Sequence, residues 1–126
     1  MTTIKSYTSL EQSRKLAKIL PLESADACWT NHLFDSLLSS WRVESTPPKK
    51  YKFLLDRFVV NGYLIEPSWS LSALLGVLPN YKLSNEHNKH TCSVELFYGE
   101  ETVSWFDNPI DACYEMIIKL LELNLL

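Results

Sequence analysis

The sequence predicts an α+β fold, in which about three helices pack on one face of a small antiparallel sheet and form a two-layer single domain over residues 1–126. Three segments repeat apolar residues at helical spacing between capping residues and prolines. Others carry the Asn-Gly dipeptide or the polar–apolar alternation that is typical of hairpins. With 46% hydrophobic residues, a chain of this length can bury one ordinary core.

The first helix is predicted over residues 8–20. Thr8 and Glu11 have the spacing of a capping box, in which each side chain binds the backbone N–H of the other residue. Leu16 and Leu20 lie on its apolar face, and Pro21 ends it. Its Lys and Arg residues indicate a solvated outer side.

The region that follows is predicted as a short strand over residues 25–30 and one or two helical turns over residues 31–41. Residues 44–50 have the composition of an exposed, mobile loop, since they include Pro47 and Pro48.

The Asn61-Gly62 dipeptide is a strong signal for a two-residue hairpin turn. It favours a hairpin that joins residues 54–60 to residues 63–65. A second helix is predicted over residues 68–78, with Ser68 as its cap. We expect the Trp69 side chain to pack into the core with its indole N–H bound to an acceptor.

Residues 80–90 are predicted to form a polar loop. Polar and apolar residues alternate over residues 91–98, a turn is predicted at residues 99–101, and a second strand follows over residues 102–106. This hairpin leads directly into the last helix.

The last helix is predicted over residues 109–125, with Asn108 as the N-cap and Pro109 at the first helical position. Most of its surface is apolar, and Ile118 falls inside its polar stripe. An aliphatic side chain among charges indicates a contact surface. The predicted interaction residues are Ile118, Glu115 and Glu122.

Residues 10–26, the Trp-Ser-Leu helix of residues 67–79 and the Asp-Asn-Pro helix of residues 107–126 together resemble a family of small uncharacterised proteins encoded by gut anaerobes and their prophages. The resemblance covers roughly half of the chain. It implies membership of a mobile genetic element, and it implies no activity, cofactor or active site.

The net charge of −3 is unevenly divided. Residues 1–57 carry nine Lys and Arg against six Asp and Glu, whereas residues 58–126 carry three against nine. Nucleic-acid binding usually requires a clearly basic domain, so it is the alternative hypothesis only. The residues that it would use combine cations with an aromatic ring: Lys49, Lys50, Tyr51, Lys52 and Arg57.

A small enzyme or metal-binding protein is the third hypothesis. His87, His90 and Cys92 lie close in sequence but lack a fourth ligand at a recognisable spacing, so a polar loop is the favoured interpretation. Cys28 and His32 would form a nucleophile and base only on a helix, where a strand is predicted. Three glycines leave no phosphate-binding loop, and no cofactor is expected.

The sequence thus predicts a non-catalytic protein-interaction module with an unknown protein partner, for which homodimerisation through the last helix is the simplest arrangement. No apolar segment approaches the length that crosses a membrane, and residues 1–6 lack a secretory signal. Because residues 1–6 lack this signal, a cytoplasmic location is expected. Three cysteines without a Cys-x-x-Cys pair indicate buried thiols.

Overall fold

The computed structural model describes residues 5–32, 41–47, 59–60 and 63–126. It confirms the α+β class, because the antiparallel strands follow one another in runs that helices flank, and do not alternate with helices. The chain divides into two compact units, one of residues Tyr7–Ser70 and one of Met1–Ser6 with Leu71–Leu126. The single domain stays a prediction, since units of this size can belong to one domain or to two.

The Tyr7–Ser70 unit contains one helix and a sheet of antiparallel strands. Among the described residues the sheet has the order β2-β1-β4-β3. Its elements are helix α1 (Leu10–Ala17), a 3₁₀ turn (Leu22–Ser24), and strands β1 (Ala27–His32), β2 (Arg42–Glu44), β3 (Val59–Val60) and β4 (Tyr63–Ser68).

Helix α1 is capped one residue later than predicted. Ser9, not Thr8, accepts the N–H of Gln12 at 3.1 Å, and the Gln12 side chain accepts the N–H of Ser9 at 3.0 Å. Thr8 is fully buried instead, where its hydroxyl accepts the N–H of Trp69 at 3.2 Å and lies 2.7 Å from the hydroxyl of Ser13. The capping box proposed for Thr8 and Glu11 is therefore wrong.

Three predictions in this unit are tested only in part by the described residues. Val60 pairs with Tyr63 in antiparallel register, as the predicted hairpin requires, although residues 54–58 and the Asn61-Gly62 turn lie outside the described residues. The helical turns predicted over residues 31–41 are wrong at their start, because Asn31 and His32 continue β1; residues 33–40 are not described. The predicted loop at 44–50 is described only to Pro47.

The second unit contains two helices and a sheet of order β5-β6-β7. Its elements are α2 (Leu71–Val77), β5 (Tyr81–Glu86), β6 (Lys89–Leu96), β7 (Gly99–Thr102) and α3 (Pro109–Glu122). Helix α2 begins at Leu71, so Ser68 is not its cap and instead ends β4.

The predicted polar loop over residues 80–90 is wrong. Most of it is strand β5, which pairs with β6 through a two-residue turn at His87 and Asn88. Both turn residues adopt left-handed backbone conformations, with φ of 52° and 61°, which is the geometry of a type I′ hairpin turn. The turn lacks the glycine that usually marks it. The next turn lies at residues 97–98, not at 99–101.

Helix α3 packs on one face of this sheet. Cys92 and Val94 of β6 are fully buried, and so is Cys113 of α3. The other fully buried residues of α3 are Ala112, Met116, Ile117 and Leu120.

In the described chain, no helix has the length and apolar character needed to cross a membrane.

Candidate functional site

The start of α3 is fixed by local hydrogen bonds. Asn108 accepts the N–H of Asp111 at 2.9 Å, and Pro109 occupies the first turn, as predicted. The Asp111 carboxylate accepts hydrogen bonds from the Asn108 side chain at 2.9 Å and from Lys5 Nζ at 2.7 Å. A helix that is anchored at its first turn presents its side chains in a defined orientation.

A concave surface in this unit lies between α3 and residues 102–106. We call it the α3 groove. Its volume is about 380 Å³. The lining residues are Thr102, Val103, Ser104, Phe106, Glu115, Ile118, Lys119 and Glu122.

Backbone hydrogen bonds hold the wall of the α3 groove that faces the helix. The N–H of Val103 donates to the carbonyl of Cys92 at 3.2 Å, and Thr91 Oγ1 donates to the carbonyl of Val103 at 2.7 Å. Phe106 and His90 exchange two backbone hydrogen bonds of 2.7 Å each. The groove is therefore built against the sheet and does not depend on loop packing alone.

Lys119 is neutralised within the unit. Its ammonium lies 3.0 Å from Glu101 Oε2 and donates to the carbonyl of Thr102 at 3.0 Å. Tyr98 donates its hydroxyl to Glu101 Oε1 at 3.0 Å. The hydrogen bond from Lys119, with a smaller contribution from Tyr98, lowers the pKa of the Glu101 carboxyl. Glu101 is therefore held in its charged form.

The three predicted interaction residues all line the α3 groove, but their exposure differs from the prediction. Glu115 and Glu122 are exposed, as a polar stripe requires. Ile118 is only 9% exposed, because it forms part of the groove floor. Ile118 therefore does not supply the exposed aliphatic surface on which the predicted homodimerisation through α3 depends.

The three candidate metal ligands are not assembled into a site. His87 lies at the exposed turn, whereas Cys92 is fully buried under α3. No cluster of three or more His, Cys, Asp or Glu side chains suited to a metal occurs in the described chain. The hydrogen bond with Cys92, and then burial, raises the pKa of the Cys113 thiol, so Cys113 keeps its proton in the core.

Cys28 and His32 do not form the helical pair that nucleophilic catalysis would need. Both belong to β1, where a separation of four residues spans about 13 Å. Burial, with a smaller effect of Glu44, raises the pKa of the Cys28 thiol to about 11. All three cysteines are free and buried, as predicted.

The nucleic-acid alternative rests on Lys49, Lys50, Tyr51, Lys52 and Arg57, which lie outside the described residues. The unit that contains the α3 groove is acidic, with four Lys against eight Asp and Glu. An acidic surface repels phosphate, so this unit does not favour nucleic acid.

Two exposed features were missed by the sequence prediction. Phe97 is 93% exposed at the β6–β7 turn, where its ring meets that of Tyr98 edge to face with centroids 5.1 Å apart. Strand β5 lies where the sequence predicts a loop, although Tyr81 and Leu83 alternate with polar residues. That short alternation was the available signal.

Fold and groove together define an α+β protein with an acidic-rimmed surface groove and, in the described residues, no cluster of three or more candidate metal ligands. Comparisons of the chain with protein-family models, with curated protein sequences and with solved structures find no match.

Proposed function

We propose that the protein is a non-catalytic interaction module and that the α3 groove binds a short, basic segment of another protein. The observation that carries this proposal is the combination of a partly apolar floor with two exposed carboxylates on the rim. Peptide-binding grooves commonly pair an apolar pocket with a few charged groups that fix orientation.

The charge of the groove supports a cationic ligand. Lys119 is the only cation that lines the groove among the described residues, and its charge is already paired with Glu101. Glu115 and Glu122 have no ion-pair partner in the described chain. The rim therefore carries an uncompensated negative charge that a Lys or Arg side chain would balance.

The spacing of the two carboxylates suggests the form of the ligand. Glu115 and Glu122 are seven residues apart on α3, which corresponds to about 10 Å along the helix axis. An extended peptide advances about 3.3 Å per residue and points alternate side chains to the same face, so two basic residues four positions apart lie on one face about 13 Å apart, and their long side chains can converge on the two carboxylates. An apolar residue between them would face Ile118 and Phe106.

The proposal includes a role within a mobile genetic element, which rests on the sequence resemblance of the three helical segments. It also includes a cytoplasmic location. The three buried, unpaired thiols support that location, because reducing compartments preserve thiols.

A peptide-display selection tests the groove directly. Immobilised protein would be panned against a random peptide library, with counter-selection on Glu115→Lys/Glu122→Lys. We expect enrichment of peptides with two basic residues four positions apart and an apolar residue midway between them. Fluorescence anisotropy should then show that Glu115→Gln/Glu122→Gln weakens binding of an enriched peptide at least about tenfold, since two charge-assisted contacts are lost.

The matched control is Glu95→Gln/Glu100→Gln, which removes two exposed carboxylates elsewhere in the same unit. This control should bind with unchanged affinity. Failure to enrich any peptide over the counter-selected variant would refute the groove as a peptide site. An equal loss of binding in the control would show that the affinity depends on the net charge of the protein and not on Glu115 and Glu122, which also contradicts the proposal.

A further inference from the structure

Strand β5 is an open edge of the β5-β6-β7 sheet. Among the described strands it pairs only with β6. Five of its six residues are exposed, and they include Tyr81 at 45% and Leu83 at 36%. Exposed strand edges of this length are templates for pairing with another chain, because their backbone groups lack partners.

The hydrogen-bond pattern shows which backbone groups of β5 face outward. His90 directs its N–H and carbonyl to Phe106, on the side of β6 that faces away from β5, so the pair Asn85–His90 is not hydrogen-bonded. Hydrogen-bonded and open pairs alternate in an antiparallel ladder. The backbone groups of Tyr81, Leu83 and Asn85 therefore point away from β6.

Side-chain charges on β5 are arranged self-complementarily. Lys82 and Glu86 lie on the same face of the strand, with Ser84 midway between them. If two copies of β5 pair antiparallel about a two-fold axis at Ser84, each Lys82 stands opposite Glu86 of the second copy. Leu83 then forms a hydrogen-bonded pair with Asn85 of the second copy, which satisfies the outward backbone groups.

Lys82 is available for such a contact. The other three lysines of this unit are ion-paired: Lys5 with Asp111, Lys89 with Asp107, and Lys119 with Glu101. Lys82 has no ion pair in the described chain. Glu86 Oε1 lies 3.7 Å from the exposed His87 Nε2 but forms no ion pair with a lysine or arginine of the described chain. A two-fold axis at Leu83 would instead place Lys82 opposite Ser84 and keep it away from Glu86, so charge complementarity selects the axis at Ser84.

We infer that a second copy of this chain binds along β5, and that the two sheets join into one continuous six-stranded sheet in which Lys82 of each copy pairs with Glu86 of the other. This inference is independent of the α3 groove, which lies beside β7 at the opposite edge of the sheet.

Charge exchange tests the inference by sedimentation velocity over a range of protein concentrations. Lys82→Glu and Glu86→Lys each place like charges opposite one another twice, so each variant should dimerise about tenfold more weakly or worse. The combined variant Lys82→Glu/Glu86→Lys restores opposite charges and should dimerise as the original chain does. A monomeric original chain at every concentration, or a combined variant no better than the single ones, would overturn the inference.

Cross-linking tests the register. Ser84 faces its own symmetry mate in an open pair, where Cα atoms lie about 4.5 Å apart, so Ser84→Cys should form an intermolecular disulfide under mild oxidation. The control Glu95→Cys places an exposed thiol on β6. Equal cross-linking of the two variants would contradict pairing at Ser84, as would faster cross-linking of Leu83→Cys. The native cysteines do not interfere, because they are buried.

Discussion

The indole N–H of Trp69 donates to Ser24 Oγ across 2.9 Å, which joins the residue that follows β4 to the 3₁₀ turn Leu22–Ser24. Trp69 is fully buried. Ser24→Ala should lower the free energy of unfolding by about 1–3 kcal/mol, because a buried donor loses its acceptor. Urea denaturation measures this change. Ser72→Ala, at an exposed position of α2, should stay within about 0.5 kcal/mol of the original chain; comparable losses in both variants would count against the bond.

A second prediction separates the roles of Thr8 and Ser9. Ser9→Ala removes the N-cap of α1 and should cost about 1 kcal/mol. Thr8→Val keeps the shape but leaves the N–H of Trp69 and the Ser13 hydroxyl without this partner, and should cost about 1–3 kcal/mol. Chemical denaturation of both variants shows which of them loses more stability. A larger loss in Ser9→Ala would reverse the assignment.

The third prediction concerns acid. The pKa of Glu101 is lowered in the folded chain, chiefly by Lys119, from a usual value of 4.5. The stabilisation that ionised Glu101 gives the folded chain is therefore present above pH 4.5 and is lost as the pH falls through the pKa of Glu101 in the folded chain. In the Glu101→Gln variant, the free energy of unfolding should fall less steeply below pH 4.5 than it does in the original chain. Glu100→Gln is the matched control and should follow the original chain. Identical acid profiles for all three proteins would show that the ion pair contributes no pH dependence.

The fourth prediction concerns base. The pKa of Cys28 is raised to about 11 from 9.0, mainly by burial. The folded chain thus holds the proton more tightly, and this contribution is complete below pH 9.0 and lost as the pH rises toward 11. Cys28→Ala should show a shallower decline in the free energy of unfolding across that interval than the original chain does. Parallel declines would contradict the assignment of this effect to Cys28.

The fifth prediction concerns the β5–β6 turn. His87 and Asn88 both have positive φ, a conformation that Asn-Gly adopts with less strain. The variant His87→Asn/Asn88→Gly should therefore raise the free energy of unfolding by about 0.5–1 kcal/mol, as measured by thermal unfolding. Glu95→Gly, within β6, should lower it. A loss of stability in the turn variant would exclude the type I′ geometry.

Short-range sequence preferences were sufficient to predict the parts of the fold that depend only on contacts between residues near each other in the chain. Asn108 and Pro109 set the start of α3 by short-range preferences alone, and they were identified correctly. The N-cap of α1 was not identified correctly, since Thr8-x-x-Glu11 and Ser9-x-x-Gln12 both fit the capping-box pattern. Burial of Thr8 beside Trp69 decides between them, and that contact spans 61 residues of sequence.

The same limit applies to the α3 groove. Helical periodicity was enough to place Glu115 and Glu122 on the outer side of α3. It placed Ile118 there too, because a helical wheel contains no information about residues 102–106. Val103 and Phe106 reach the helix through pairing with β6, and this non-local pairing converts the expected exposed patch into the floor of a groove.

The Lys5–Asp111 ion pair joins residues 106 positions apart, so it sets an order of events on the ribosome. At about 5–20 residues per second, Lys5 is incorporated into the chain roughly 5–20 s before Asp111. Residues 7–70 are complete within that interval, whereas the unit that contains α3 is not. During translation, Lys5 must therefore remain unpaired with Asp111 during a period in which residues 7–70 have already been made.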